Sequence, residues 1–146
     1  MNTHLLASCA VTLLFASAPV GCGGGVGESA NDVTSVEQIA AGKETFAADC
    51  AKCHGAEGHG TATAPPLVGK DALPLDPRPG ARLRKTHFHT GKDVLDFIRV
   101  YMPLDQPGAL SEDQYDAVLA FALQANGVDL HGMQVSAASA SSFVLH

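Results

Sequence analysis

The sequence predicts an all-α fold, with three main helices and irregular loops wrapped around a bound group. Three segments with helical apolar spacing each begin at a capping box. Between Gly55 and His89 the chain is rich in Gly and Pro and has no regular period, and a loop of roughly 35 residues is uncommon unless it is built around something. The chain has no tryptophan and only 5% aromatic residues. A prosthetic group would help to fill so modest a core.

Each predicted helix has its own start signal, a Ser or Thr followed three residues later by an acidic or amide side chain. The pairs are Thr34–Glu37 or Ser35–Gln38, then Thr90–Asp93, then Ser111–Gln114. Pro103 ends the second helix, and Asn126-Gly127 closes the third. The third helix is predicted to bury a stripe made of Tyr115, Val118, Leu119 and Ala122.

The amino end, residues 1–21, resembles a secretory signal peptide. An apolar run over residues 5–15 leads into small residues, although no Lys or Arg precedes it, and the run is too short for a membrane span. The residues before Cys22 resemble the cleavage box of a bacterial lipoprotein, with Pro19 in place of the usual Leu. We therefore expect an exported protein that is lipid-anchored at Cys22 on the periplasmic side of a bacterial membrane. An ordinary leader cut nearby, for instance after Ala18, is the alternative.

Composition divides the rest of the chain. Residues 22–34 are Gly-rich and polar, which predicts a flexible tether. The folded domain is expected over residues 35–128, followed by a loosely ordered Ser/Ala-rich tail over residues 129–146, of which the apolar run 143–145 could fold back. The formal net charge of −6 argues against nucleic acid and favours a protein partner with a basic docking patch.

The segment CAKCHG, Cys50 to Gly55, contains the only cysteines expected in the folded domain. Two thiols at this spacing can bond to the two vinyl groups along one edge of a haem, and His54 can then ligate the iron. Half of a zinc site and a redox dithiol are the alternatives. Zinc would need further ligands that do not occur at finger spacing, and a dithiol normally begins a helix, whereas this pair ends one.

The sixth position of the iron requires another ligand. Met102 lies at the end of a predicted helix and precedes Pro103, so its thioether would be held on a stiff turn. Met102 as a plain core residue is the alternative, and Met133 is interpreted as a residue of the tail. Ligation by histidine and methionine raises the haem potential and closes the iron to substrates. This pair predicts an electron carrier and not an enzyme.

Residues 36–127 resemble a class I c-type cytochrome, because "CAKCHG", "APPLVG", "YMPLD" and "YDAVLAFALQANG" occur in the family's order. The likeness is strongest to small bacterial mono-haem domains that accompany periplasmic quinoprotein dehydrogenases. It implies one haem c, bound through thioethers at Cys50 and Cys53 and through axial ligands at His54 and Met102.

The resemblance also implies roles for three neighbouring residues. The carbonyl of Pro65 would accept the remaining N–H of His54, Leu67 would pack on the haem, and Gly42 would let the last helix cross closely near Phe121. Relatives often hold a haem propionate with tryptophan, which this chain lacks. The cationic candidates for that role are Arg82, Arg84, Lys85, His87 and Arg99.

The sequence therefore predicts a mono-haem c-type cytochrome that carries single electrons between periplasmic or membrane redox partners. A haem enzyme or gas sensor with a displaceable sixth ligand is one alternative, and an electron-transfer subunit of a dehydrogenase complex is another. The segment "HFH" would place His87 and His89 on one face if it were extended, although an exposed loop is the simpler interpretation.

Overall fold

The computed structural model describes residues 34–146, which adopt an all-α fold, as predicted. The helices are α1 (Ser35–Thr45), α2 (Ala51–His54), α3 (Gly91–Tyr101) and α4 (Glu112–Ala125), with a π-helical turn at Phe46–Cys50 and a 3₁₀ turn at Ala140–Ser142. None of the helices within residues 34–146 is long and apolar enough to cross a membrane. The predicted signal peptide, Cys22 and the tether up to residue 33 lie outside the described residues.

All three predicted helix starts are confirmed. Capping boxes are formed by the pairs Thr34–Glu37, Thr90–Asp93 and Ser111–Gln114, and the first residue of each pair is the N-cap. Of the two pairs considered for the first helix, Thr34–Glu37 is the one that caps α1. Gln38 instead makes two hydrogen bonds with the backbone of Val135: its amide donates to the carbonyl oxygen at 2.7 Å and its oxygen accepts from the N–H at 2.8 Å.

Helices α1 and α4 cross in close contact at Gly42, as the resemblance predicted. A Cβ atom at this position would lie 1.9 Å from the carbonyl oxygen of Ala117 and 3.0 Å from Cβ of Phe121. Only glycine therefore fits there without moving one of the helices. Beside the crossing, the rings of Phe46 and Phe121 lie 5.3 Å apart, so the end of α1 is fixed against α4 just before the cysteines.

The predicted stripe of α4 is buried and forms the middle of the core. Tyr115 and Leu119 of this stripe pack with residues from the long loop, α3 and the carboxyl-terminal segment. Two of the residues contributed by the loop are Leu73 and Phe88, so the loop supplies part of the apolar interior. The region without helical period is therefore packed onto the helices.

The expectation of a loosely ordered tail is wrong for the segment after residue 128. Val135, Ala140 and Phe143 are almost completely buried, and the folded part therefore continues beyond that boundary. The N–H of Gly91 donates to the carbonyl oxygen of Phe143 at 2.8 Å, which ties the segment to the start of α3. Small Ser and Ala side chains let the backbone approach closely, and a few apolar residues supply the buried area. The fold-back considered for residues 143–145 is confirmed.

Candidate haem site

A π-helical turn delivers the two cysteines. The N–H of Ala51 donates to the carbonyl oxygen of Phe46, five residues earlier, and such turns are frequent at functional sites. Cys50 is half-buried, Cys53 is exposed, and both are free thiols. Burial, reinforced by the nearby Asp49 carboxylate, raises the pKa of the Cys50 thiol to about 11. Cys50 is therefore protonated at neutral pH, and no disulfide removes either sulfur from reaction with another group.

His54 ends α2, and its side chain is buried, with 8% of the residue exposed. Nδ1 of His54 lies 2.8 Å from the carbonyl oxygen of Pro65, which is the contact expected for these two residues. Because a carbonyl oxygen can only accept, Nδ1 carries the proton and donates. The lone pair is then on Nε2, so the ring is oriented and in the correct tautomer to bind a metal through that atom.

The loop after His54 folds back tightly to place Pro65. The N–H of Gly60 donates to the carbonyl oxygen of His54 at 2.8 Å. The hydroxyl of Thr61 donates to the carbonyl oxygen of Cys53 at 2.7 Å. Gly60 has a φ of 83° and lies so close to Pro66 that a Cβ atom would come within 2.7 Å of its nitrogen. These contacts fix Pro65 with respect to His54.

Asn126 joins this loop to the carboxyl end of α4, a role that the sequence did not indicate. Its side-chain amide donates to the carbonyl oxygens of Leu67 at 2.7 Å and Ala122 at 2.8 Å, and its oxygen accepts from the N–H of Gly69 at 3.0 Å. Leu67 is half-buried and packs against the core cluster. The sequence signal was the Asn-Gly pair, which predicted only the end of a helix.

Met102 is the first residue after α3 and is half-buried. The hydroxyl of Tyr115 donates to its carbonyl oxygen at 2.6 Å, which fixes the backbone of Met102 against α4. On the surface, Nζ of Lys52 lies 2.6 Å from the carboxylate of Asp105. Since Lys52 lies between the two cysteines and Asp105 follows Met102 closely, this ion pair places the two predicted ligand segments side by side.

The second methionine considered, Met133, is 42% exposed in the carboxyl-terminal segment. The hydrogen bond of its N–H goes to the carbonyl oxygen of Leu130, within the same segment. Its surroundings are those of a surface residue, in agreement with the interpretation from the sequence.

The five cationic candidates for a propionate contact differ in their surroundings. Arg99 is already neutralised, because its guanidinium pairs with Asp116 at 2.8 Å and Glu112 at 2.5 Å. Burial raises the pKa of Asp116, and the charge of Arg99 opposes that shift. Lys85 donates to the carbonyl oxygen of Ala81, and Nδ1 of His87 lies 2.9 Å from the carboxylate of Asp76; both side chains are exposed, as is that of Arg82.

Arg84 differs from the other candidates because it is buried, with 8% exposed. It donates to the carbonyl oxygens of Pro74 at 2.8 Å and Leu75 at 3.2 Å, and its guanidinium lies 4.0 Å from the ring centroid of Phe88. Burial lowers the pKa of Arg84. Among residues 34–146 no carboxylate lies within ion-pair distance of its guanidinium, and the charge of Asp76 offsets only part of the effect of burial on this pKa.

The residues present fit a haem c group. Two free thiols, an imidazole with Nε2 available and a thioether on a fixed backbone are the kinds of group that such a cofactor requires for its covalent bonds and its axial ligands. Within the described part of the chain, no three or more His, Cys, Asp or Glu side chains are grouped so as to hold a metal ion by themselves.

Comparisons with known proteins agree with this chemistry. The family model described as cytochrome c oxidase, cbb3-type, subunit III matches residues 37–121. The crystal structure of the sulfane dehydrogenase SoxCD from Paracoccus pantotrophus matches with a TM-score of 0.56 and 31% identity, over 73% of this chain and 52% of that chain. The chain thus spans about half the length of that relative. No curated protein matches. The chain belongs to the family of the cbb3-type oxidase subunit III, and it is a class I c-type cytochrome that carries electrons on covalently bound haem c.

Proposed function

We propose that Cys50 and Cys53 bind the haem through thioethers and that His54 and Met102 are the two axial ligands. The observation that carries this assignment is the hydrogen bond from Nδ1 of His54 to Pro65, which leaves Nε2 for the iron. Met102 is supported by the bond from Tyr115 to its backbone and by the ion pair beside it. Leu67 is proposed to contact the haem from the loop that Asn126 holds in place.

The function that follows is transfer of single electrons with both ligands bound throughout. When bound, the haem supplies an iron centre that accepts and donates one electron. The chain fixes both ligand segments by hydrogen bonds, so that little rearrangement accompanies each transfer. Cys53 is exposed, which supports an electron path through the haem edge to which this sulfur would be bonded.

The buried guanidinium of Arg84 is the proposed partner of a haem propionate. A buried cation without a direct ion-pair partner is costly, and a propionate would neutralise it. Replacement of Arg84 by Gln should shift the reduction potential and its pH dependence, and Arg84→Lys should restore part of the change. Arg82→Gln, an exposed control two residues away, should leave both unchanged. Equal effects of the Arg82 and Arg84 variants would reject this assignment.

We propose further that the protein is exported and lipid-anchored at Cys22, on the periplasmic side of a bacterial membrane. The net charge of −6 supports a redox partner with a basic patch. Matches to an oxidase subunit family and to a sulfane dehydrogenase support a place in a larger oxidoreductase complex. Cys22→Ser should release a soluble, still red protein. Wild-type protein that is already soluble, with Cys22 cleaved off or unmodified by mass spectrometry, would refute the anchor.

The ligand assignment is tested by two matched variants, Met102→Ala and Met133→Ala. The first should abolish the ferric absorption band of methionine ligation and lower the reduction potential, and the second should change neither. Haem should stay with the polypeptide after extraction with acidified acetone in both variants, because the thioethers are intact. The same spectra and potential in the two variants, or the loss of the band only with Met133→Ala, would overturn the assignment.

A haem enzyme or gas sensor, the second candidate, requires a sixth ligand that leaves readily. The hydrogen bond from Tyr115 to Met102 favours the closed form. Ferrous wild-type protein should therefore bind carbon monoxide poorly, whereas the Met102→Ala variant should bind it well. Stoichiometric binding by the wild type at low carbon monoxide concentration would favour the second candidate.

A further inference from the structure

The segment His87–His89 alternates exposed, buried and exposed residues. The middle residue, Phe88, is held at 5% exposure by Arg84, whose guanidinium lies 4.0 Å from its ring centroid, and by an edge contact with Phe97 at 5.7 Å. The N–H of Phe88 donates to the carbonyl oxygen of Leu75. With Phe88 anchored in the core, the two histidines on either side both extend into solvent. His87 and His89 are exposed, as the interpretation of this segment as a surface loop predicted. Their imidazole rings nevertheless lie close together.

The backbone of His89, on the carboxyl side of Phe88, is also fixed by hydrogen bonds. The carbonyl oxygen of His89 accepts from the N–H of Leu145 at 2.9 Å, and the N–H of His89 donates to Asp93 at 3.0 Å. The spacing of the two imidazoles is therefore set by core and helix contacts, as a preorganised site requires.

The rings of His87 and His89 have centroids 5.8 Å apart and planes inclined by 46°. When two imidazole nitrogens bind one ion at about 2 Å each, the ring centroids lie about 5 to 6 Å apart. The observed separation lies in this range. The two rings are therefore already spaced as they would be around one shared ion.

Asp76 supplies an orienting contact. Its carboxylate accepts from Nδ1 of His87 at 2.9 Å, which leaves the lone pair of that ring on Nε2. A carboxylate behind a ligating histidine is the usual arrangement in protein metal sites, where it fixes the ring and raises its basicity. Of the four other described histidines, His54 is assigned to the haem site, and none of the remaining three has another imidazole in ring contact.

We propose that His87 and His89 form a surface binding site for a divalent transition-metal ion of the type that prefers imidazole, represented by Zn²⁺, with water completing the coordination. Imidazole ligands select zinc, copper and nickel over magnesium and calcium. Two protein ligands give moderate affinity, which suits an exchangeable ion. The site uses none of the residues assigned to the haem.

The test is a calorimetric titration of the full-length ferric holoprotein with Zn²⁺, a probe that does not exchange electrons with the haem. His87→Ala and His89→Ala should each weaken binding about tenfold or more, and Asp76→Asn should weaken it less. His131→Ala is the matched control, because Nδ1 of His131 also lies close to a carboxylate, 3.2 Å from Asp129, and its side chain is likewise exposed. This control should bind Zn²⁺ as the wild type does.

Protons compete for the same nitrogens, so binding should weaken as the pH falls. Unchanged haem spectra would show that the variants fold. Wild-type protein that binds no Zn²⁺ at millimolar concentration would overturn the proposal. So would a double variant, His87→Ala with His89→Ala, that binds as tightly as the wild type, or a His131 variant that loses as much affinity as the two test variants.

Discussion

The hydroxyl of Tyr115 lies 2.6 Å from the carbonyl oxygen of Met102 and joins the first turn of α4 to the end of α3. The same turn carries Asp116, whose carboxylate pairs with Arg99 one turn before Met102. Two contacts from α4 thus fix the backbone on which the proposed sixth ligand is carried. Tyr115 acts on Met102 through its backbone and is a positioning residue.

Replacement of Tyr115 by Phe should loosen Met102, because the carbonyl loses a hydrogen bond worth about 1 kcal/mol. Imidazole should then displace the methionine from ferric protein about fivefold more readily, since this is the ratio to which that free energy corresponds. Spectrophotometric titration with imidazole measures the change. Tyr101→Phe, on the exposed end of α3, is the control and should behave as the wild type. A lower thermal midpoint with an unchanged imidazole affinity would show that Tyr115 only stabilises the fold.

Replacement of Gly42 by Ala should destabilise the domain, although alanine is the better helix former by about 1 kcal/mol. The added Cβ would meet the carbonyl oxygen of Ala117 at 1.9 Å, so α1 and α4 must separate. We expect a net loss of about 1–3 kcal/mol of unfolding free energy, measured by denaturant titration. Lys43→Ala, on the exposed side of α1, should change it little. A stabilised Gly42 variant would contradict the close crossing.

Replacement of Asp93 by Asn should lower the free energy of unfolding at neutral pH, and the difference from the wild type should be smaller at acidic pH. Burial pushes the pKa of Asp93 upward, but hydrogen bonds from Thr90 and from the backbone of His89 outweigh it and leave the pKa below its usual value. A carboxyl whose pKa is lowered by folding stabilises the protein above its unfolded pKa, and the stabilisation is lost as pH falls through the folded pKa.

We therefore expect Asp93→Asn to lose about 1 kcal/mol of stability at pH 7, the usual size of a capping interaction. The difference from wild type should narrow below about pH 4, where carboxyl groups become protonated. Denaturant titrations over this pH range measure it. Asp96→Asn is the control, because that carboxylate pairs with Lys92 on the exposed face of the same helix. A stability difference between Asp93→Asn and the wild type that increases as the pH falls would contradict this prediction.

Replacement of Phe143 by Ala should cost about 3–5 kcal/mol, the range for buried aromatic residues. Its exposed fraction is 2%, and it belongs to the same core cluster as Leu95 and Leu119. Val144→Ala is the neighbouring control: Val144 is 66% exposed, so its change should stay within about 0.5 kcal/mol. Similar small losses in both variants, by denaturant titration, would mean that the carboxyl-terminal segment contributes little to the core.

Local signals in the sequence were sufficient to predict the starts of the three main helices and the position of the CAKCH motif. Each capping box joins residues three apart, and CAKCH places its chemistry within five residues. Such patterns depend on short-range geometry, so they can be interpreted without the fold. The contact of Pro65 with His54 followed from the family resemblance and is present.

Contacts between distant residues were not predictable in this way. Asn126 contacts Leu67 from 59 positions away, and Lys52 contacts Asp105 from 53. The sequence around Asn126 does not indicate that it contacts Leu67, and the sequence around Lys52 does not indicate that it contacts Asp105. The carboxyl-terminal segment was misjudged for a related reason: a Ser/Ala-rich composition is typical of disorder, but here small side chains permit the close backbone packing that covers Gly91.

Gln38, in the first turn of α1, is joined by two hydrogen bonds to Val135, 97 positions later. The two ends of the folded chain therefore close on each other, and the core is incomplete until residue 143 is in place. In a polypeptide that crosses a membrane amino end first, the cysteines at 50 and 53 emerge while this closure is still impossible. If this chain is exported as proposed, that order leaves a period in which a haem-attachment machinery can reach both thiols before the carboxyl-terminal segment completes the core.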